Sequence, residues 1–251
     1  DRINQWLLSG YDANQILMAM DCLYVVCVPI SEEDNAQKIF ESINATGAKL
    51  TAADLIRNFL LMDLRSDIQE EYYAKYWKKL EENVSRDSKT LEMFFRMFLA
   101  IKTYTLVPKN SVYREFMTWV SNGNLEIKEL FEELLEYSKI YDFLFNNSLT
   151  GVMGKLKSAL EDFRKINSDL PMSIIMEFCR LYRANKITAE IFGELMAAIN
   201  TYLLRRSICD MNSQNISKLF PTLLKKVTEK CNGDTSNIVR ILNQEMVGNN
   251  A

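Results

Sequence analysis

Residues 39–62 read IFESINATGAKLTAADLIRNFLLM, a stretch holding a helix end, a glycine turn and the start of a second, capped helix. Upstream of the turn, Ala36, Ile39, Phe40 and Ile43 recur at helical spacing, which predicts a helix over 33–44 that ends at Asn44. The chain then breaks at Ala45-Thr46-Gly47, and Gly47 suits a left-handed C-terminal cap that a side chain would strain. Thr51 is placed as the N-cap of the next helix, with Asp54 three residues on to reach back to its amide. Leu50 and Leu55 occupy the two positions of a hydrophobic staple around that cap. The second helix should therefore start at Ala52. Arg57 and Asn58 lie one turn beyond Asp54, close enough for local pairing or for presenting a polar edge to a ligand.

The same helical grammar extends along the chain. Only eight Gly and four Pro occur, so long helices separated by short polar breaks are expected, and the class is all-α. Apolar periodicity predicts helices over 13–20, 33–44, 52–64, 68–84, 91–101, 112–121, 126–145, 152–166, 172–185, 189–208, 216–230 and 237–245. Pro221 is expected to kink or restart the penultimate one. The breaks at 106–110, 121–124, 146–154 and 167–171 are short, which favours a multi-helix antiparallel bundle; the stretch 146–154 is the best candidate boundary. No repeat at solenoid periods occurs. Residues 23–30, LYVVCVPI, form the one strongly β-branched run and read as a buried strand, yet no second strand of comparable quality pairs with it. An orphan strand points to an absent sheet. Leu23 to Ile30 then packs as an irregular segment or pairs with another copy of the chain, which leaves a homodimer open.

Composition narrows the function classes. The chain has 251 residues, 48% of them hydrophobic, enough for a sizeable core as one large or two small domains. No apolar stretch approaches the ~20 residues that span a bilayer, so no membrane is expected. Cys22, Cys27, Cys179, Cys209 and Cys231 show no C-x-x-C pairing, and their odd count argues for reduced core residues of a cytoplasmic protein. No histidine occurs, which excludes His-ligated zinc and any Ser-His-Asp or Cys-His nucleophile. The net charge of −3 and a pI of about 5.3 are unlike a dedicated DNA-binding module, so any DNA contact must be a local patch.

The candidate residues each have an ordinary structural explanation as well. Gly47, Thr51 and Asp54 are accounted for by turn and cap chemistry. For Arg57 and Asn58 the two readings weigh equally, because a mid-helix Asn is a mediocre helix former and an Arg can fork onto phosphate. Arg205 and Arg206 end a long helix, where positive charge complements the dipole, but two adjacent guanidiniums also suit phosphate. The aromatic sets Tyr72, Tyr73, Tyr76, Trp77 and Phe94, Phe95, Phe98 fall at helical spacing and are expected in the core rather than stacked on bases. Glu132 and Glu136 sit on a solvated face and carry no catalysis.

The unit F-x-x-I-N-x-x-G-x-x-L-x-x-x-D-L-I-R-N, from Phe40 to Asn58, resembles the segment closing the N-terminal domain of the GmrSD-type restriction proteins. A second stretch, YLLRRSICDMNSQNISKLFPTLL at 202–224, is similar to that family's pattern of paired arginines before a Cys and an Asn/Ser-rich loop. YAKYWKKL at 73–80 extends the likeness. The resemblance implies a division into 1–64, the end of a ParB-like domain; 65–150 and 151–247, two halves of a helical region; and 248–251, a disordered tail. Family members carry a D-G-Q-Q-R motif and often an HNH nuclease domain, and neither is present here. The chain is thus expected to be a non-catalytic middle fragment of a full-length protein that cuts DNA, possessing further N- and C-terminal domains. The nucleoside triphosphate and divalent metal that the resemblance implies belong to those domains, with no cofactor or metal in this fragment. The runner-up is a helical protein-interaction module with no nucleic-acid role.

Overall fold

The computed structural model describes residues 2–24, 50–62, 64–85, 87–123, 125–146, 149, 151–209 and 216–248. Among them there are helices and no strand, the all-α class that the periodicity predicts. Residues 25–49 lie outside the described residues, and with them the helix over 33–44, the Asn44 end, the Gly47 cap and all but the first two residues of the strand over 23–30. By contacts the chain divides into two compact units, 1–49 and 50–251.

In the first unit, α1 (Arg2–Leu8) and α2 (Ala13–Asp21) are joined by a turn in which Gly10 takes φ 91° and Tyr11 N–H donates to the Trp6 carbonyl. Helix α1 is too short for periodicity to reveal. Asp12 precedes α2, and its amide donates to the Gln15 side chain at 3.3 Å, one half of a capping box.

The second unit is organised around α6 (Ser88–Thr103), whose sequence SKTLEMFFRMFLAIKT is apolar on nearly every side. A helix whose apolar face is broken only along the Lys89, Glu92 and Arg96 edge must be packed on most of its sides. Accordingly α6 packs against α3 (Ala52–Met62), α5 (Lys78–Val84), α7 (Val112–Gly123), α8 (Ile127–Tyr141), α10 (Met172–Arg183) and α12 (Ile216–Cys231). Phe94, Phe95 and Phe98 are fully buried, and Trp77 stacks on Phe95 with centroids 5.7 Å apart. Asp87 caps the helix by accepting from Thr90 N–H at 3.0 Å, and Tyr104 ends it in the left-handed region at φ 55°.

Two π turns interrupt the predicted helices. Periodicity predicts a single helix over 68–84. Instead α4 (Ser66–Tyr72) passes through a π turn at Tyr73–Trp77 into α5, and α8 runs into another at Asp142–Asn146. The extra residue in such a turn rotates the helix beyond it. Here Tyr76 and Trp77 turn inward while Tyr73 stays 42% exposed, so the aromatic set is divided between core and surface. Pro221 lies inside α12, which runs unbroken from Ile216, so it does not restart the helix.

The remaining elements, α9 (Gly154–Ile166), α11 (Ala189–Ile208) and α13 (Ile238–Gly248), complete the unit, with α9 laid along α11 and α13 against both α11 and α12. The stretch 146–154 does not separate two cores. Arg164 on α9 donates to the carbonyls of Phe143 and Leu144, and α10 packs on both α6 and α8.

Candidate functional site

The motif helix α3 is tied down at its first turn. Thr51 N–H donates to the Asp54 carboxylate at 3.3 Å and Asp54 N–H donates to the Thr51 hydroxyl oxygen at 3.2 Å, a reciprocal box. Ala52 N–H donates to the Glu92 carboxylate of α6 at 3.0 Å, so two of the helix's unpaired amides meet negative groups where the dipole favours them. Asp54 also pairs with Arg57 at 3.1 Å. Beyond it, Arg57 lies 3.7 Å from Glu81 of α5 and 6.0 Å from the centroid of the Trp77 ring. Trp77 Nε1–H donates to the same Glu81 at 2.5 Å. Arg57 is therefore engaged on three sides by its own fold. Asn58 is half-buried beside it, and Leu50 and Leu55 are half-buried around the cap.

Arg205 and Arg206 occupy the last turn of α11, where their charge complements the helix dipole. Arg206 donates to the Tyr202 hydroxyl at 3.3 Å and lies 5.7 Å from that ring's centroid. Arg205 is exposed and has no ion pair among the described residues. Both line a groove of about 430 Å³ between α11 and α13, floored by Ala198 and Met246. Along α11 it continues into a wider groove of about 970 Å³ over α9. Leu204, Ile208 and Val247 are exposed beside them, at 55%, 75% and 71%. The two candidate pairs thus belong to separate clusters, one bonded into the helix core and one opening to solvent.

The polar groups of the core escaped the sequence reading. Tyr137 of α8 is buried and donates to Glu177 of α10 at 2.7 Å, and Arg180 forks onto the same carboxylate at 2.9 and 2.6 Å. Burial and the adjacent Glu177 push the Tyr137 phenol far above its ordinary range, while the Glu177 bond raises Arg180. Tyr137 and Arg180 keep their protons, and their bonds to Glu177 clamp α8 to α10. Lys102 of α6 pairs with Glu133 of α8 in the same layer. Arg96 of α6 is a further half-buried cation. For Glu177, Arg180, Lys102 and Arg96 the available signal was a charge set in an apolar stretch, as in FFRMF and IIMEFCRL.

Among the described residues no three His, Cys, Asp or Glu side chains group as a metal site, and no helix is long and apolar enough to cross a membrane. No protein-family model, no curated protein and no solved structure matches the chain.

Proposed function

We propose that this chain is the non-catalytic helical scaffold of a GmrSD-type, modification-dependent DNA restriction and phage-defence protein, positioning nuclease and nucleotide-using domains that lie outside residues 1–251. The reading rests on the resemblance of the Phe40–Asn58 motif. One observation supports it: the part of the motif within the described residues is bonded inward, Thr51 to Asp54, Asp54 to Arg57, and Arg57 to Glu81 and Trp77. Side chains engaged in this way fix a helix in place; they do not reach for substrate. The net charge of −3 accords with a part that is not itself the main grip on DNA.

A second reading, a helical protein-interaction module, draws on the groove beside α11, where Leu204, Ile208 and Val247 are exposed.

The test is fluorescence anisotropy of the chain with duplex DNA, plain and base-modified, across salt concentrations. The scaffold reading expects nothing tighter than non-specific binding, roughly 10⁻⁴ to 10⁻⁶ M at physiological salt. Tighter binding with a steep salt slope would move DNA recognition into the helical unit, and Arg205→Ala with Arg206→Ala would then be the variants to titrate. Full-length protein that leaves both plain and modified DNA uncut would remove the restriction reading.

A further inference from the structure

Among the described residues, Arg96 is the one partly buried charge of central helix α6 that no carboxylate answers. Glu92 accepts from Ala52 N–H and Lys102 pairs with Glu133, but Arg96 has only the Val107 carbonyl, which accepts from Nε at 2.6 Å. Its guanidinium is half-buried, and loss of hydration lowers its pKa with no neighbouring acid acting against that. A partly desolvated cation without a counter-ion is costly, and a bound anion removes that cost.

The rest of Arg96 faces a cavity of about 550 Å³ between α6, the 3₁₀ turn Lys109–Ser111 and the end of α8. Lys89 and Lys109 also line it, and neither has an ion pair among the described residues. Tyr141 is only 8% exposed as a residue, but its hydroxyl is not enclosed; it has no hydrogen-bond partner among the described residues and opens to solvent in the cavity that the residue lines. Burial and Asp169 keep that phenol protonated, hence a donor. Two carboxylates line the cavity as well. Glu92 already serves α3, which leaves three cations and an open hydroxyl against Asp169.

We propose that this cavity binds a small phosphomonoester, its phosphate held by Arg96, Lys89, Lys109 and the Tyr141 hydroxyl. A phosphate near charge −2 can accept from a guanidinium, two ammoniums and a phenol at once; a carboxylate has too few oxygens and too little charge. Met93 and Val112 give the ester's organic group an apolar wall, and the volume is that of a small-ligand site. The proposal does not depend on the restriction reading.

Isothermal titration of the chain with phenyl phosphate at low ionic strength tests it, with benzoate as the carboxylate comparison. The expected result is saturable one-site binding of phenyl phosphate, weaker binding of benzoate, and a loss of about tenfold in Tyr141→Phe, which keeps the ring and removes one bond to a charged group. Lys109→Ala, at an exposed position, should weaken binding several-fold with an unchanged thermal midpoint. Both variants are expected to keep the fold, since one removes a solvent-open hydroxyl and the other an exposed side chain, so the test does not depend on whether Arg96→Ala folds. No saturation at millimolar phenyl phosphate, equal affinity for benzoate, or affinity unchanged in both variants would overturn the assignment. Displacement of phenyl phosphate by a short duplex oligonucleotide would overturn it too, by assigning the cations to a polymer backbone.

Discussion

Replacing Gly193 with alanine should destabilise the second unit, although the same change in an exposed helix stabilises. Gly193 sits in the interior of α11, where alanine ordinarily gains roughly 0.8–1 kcal/mol over glycine. Here α9 crosses too closely. A Cβ on residue 193 would lie 2.8 Å from Leu156 N and 3.1 Å from both Leu156 Cα and Lys155 C. All three are backbone atoms, which cannot rotate aside, whereas carbon atoms pack at about 3.5–4.0 Å. The two helices would have to part by several tenths of an ångström along their whole seam. Asn200 crosses that seam, donating to the Ala159 carbonyl at 2.8 Å, and would lose its geometry as the helices separate. Overpacking typically costs about 1–3 kcal/mol, and a backbone obstacle belongs at the upper end. Against the propensity gain the net loss is about 2 kcal/mol, or about 4–8 °C in a unit of this size. Urea and thermal unfolding of Gly193→Ala measure it, with Gly248→Ala, which meets nothing within 4 Å, as the comparison. A midpoint that rises in Gly193→Ala would refute the close approach of α9 and α11.

Three further outcomes are expected. Thr51→Ala removes the acceptor for Asp54 N–H and should cost about 1 kcal/mol in urea unfolding; an unchanged midpoint would mean that Glu92 alone holds the first turn of α3. Glu245 accepts from Lys230 and pairs with Lys226 at 3.3 Å, and those two lysines hold its carboxyl below the ordinary range. A depressed folded pKa gives stability that is present above the unfolded value, about 4.3, and is lost as pH falls through the folded one. Glu245→Gln should therefore lower the midpoint at neutral pH and flatten its decline in acid; parallel acid limbs for the two proteins would count against the linkage. Burial pushes the Cys179 thiol up to about 12, whereas Cys22 and Cys209 are exposed. Mass mapping after brief alkylation at neutral pH should find Cys22 and Cys209 modified and Cys179 modified only in denaturant; early labelling of Cys179 would mean that α10 opens readily.

What the sequence disclosed was what depends on neighbours along the chain. The Thr51–Asp54 box and the helical class rest on spacings of three and four residues, which local physics decides. The π turn at Tyr73–Trp77 does not: its register is set by Trp77 stacking on Phe95 of another helix, and no local signal announces it. Arg57 shows both cases in one side chain. Its pairing with Asp54 was legible at i−3, but Glu81 and Trp77 come from other turns of the chain and were not, so the sequence left its role undecided. Arg96 stood in plain view within FFRMF, yet its lack of a carboxylate is a property of the packed helices around it.

The distribution of partners among the arginines sorts them by purpose more sharply than their positions do. An arginine that serves the fold is answered in place, as Arg180 is by Glu177, Arg57 by Asp54, Glu81 and Trp77, and Arg164 by the carbonyls of Phe143 and Leu144. An exposed arginine such as Arg205 is answered by water, and its lack of a partner says little because solvation makes it inexpensive. Arg96 falls between these groups. It is half withdrawn from water, its one hydrogen bond among the described residues is to a carbonyl, and it shares its cavity with two lysines and the open Tyr141 hydroxyl. Three cations and a phenol hydroxyl opening into one cavity point to an anionic partner that is not part of the chain. The Arg205–Arg206 groove differs in its lining, where Ala197, Ala198, Met246 and Val247 make a mostly apolar wall and no lysine joins the arginines.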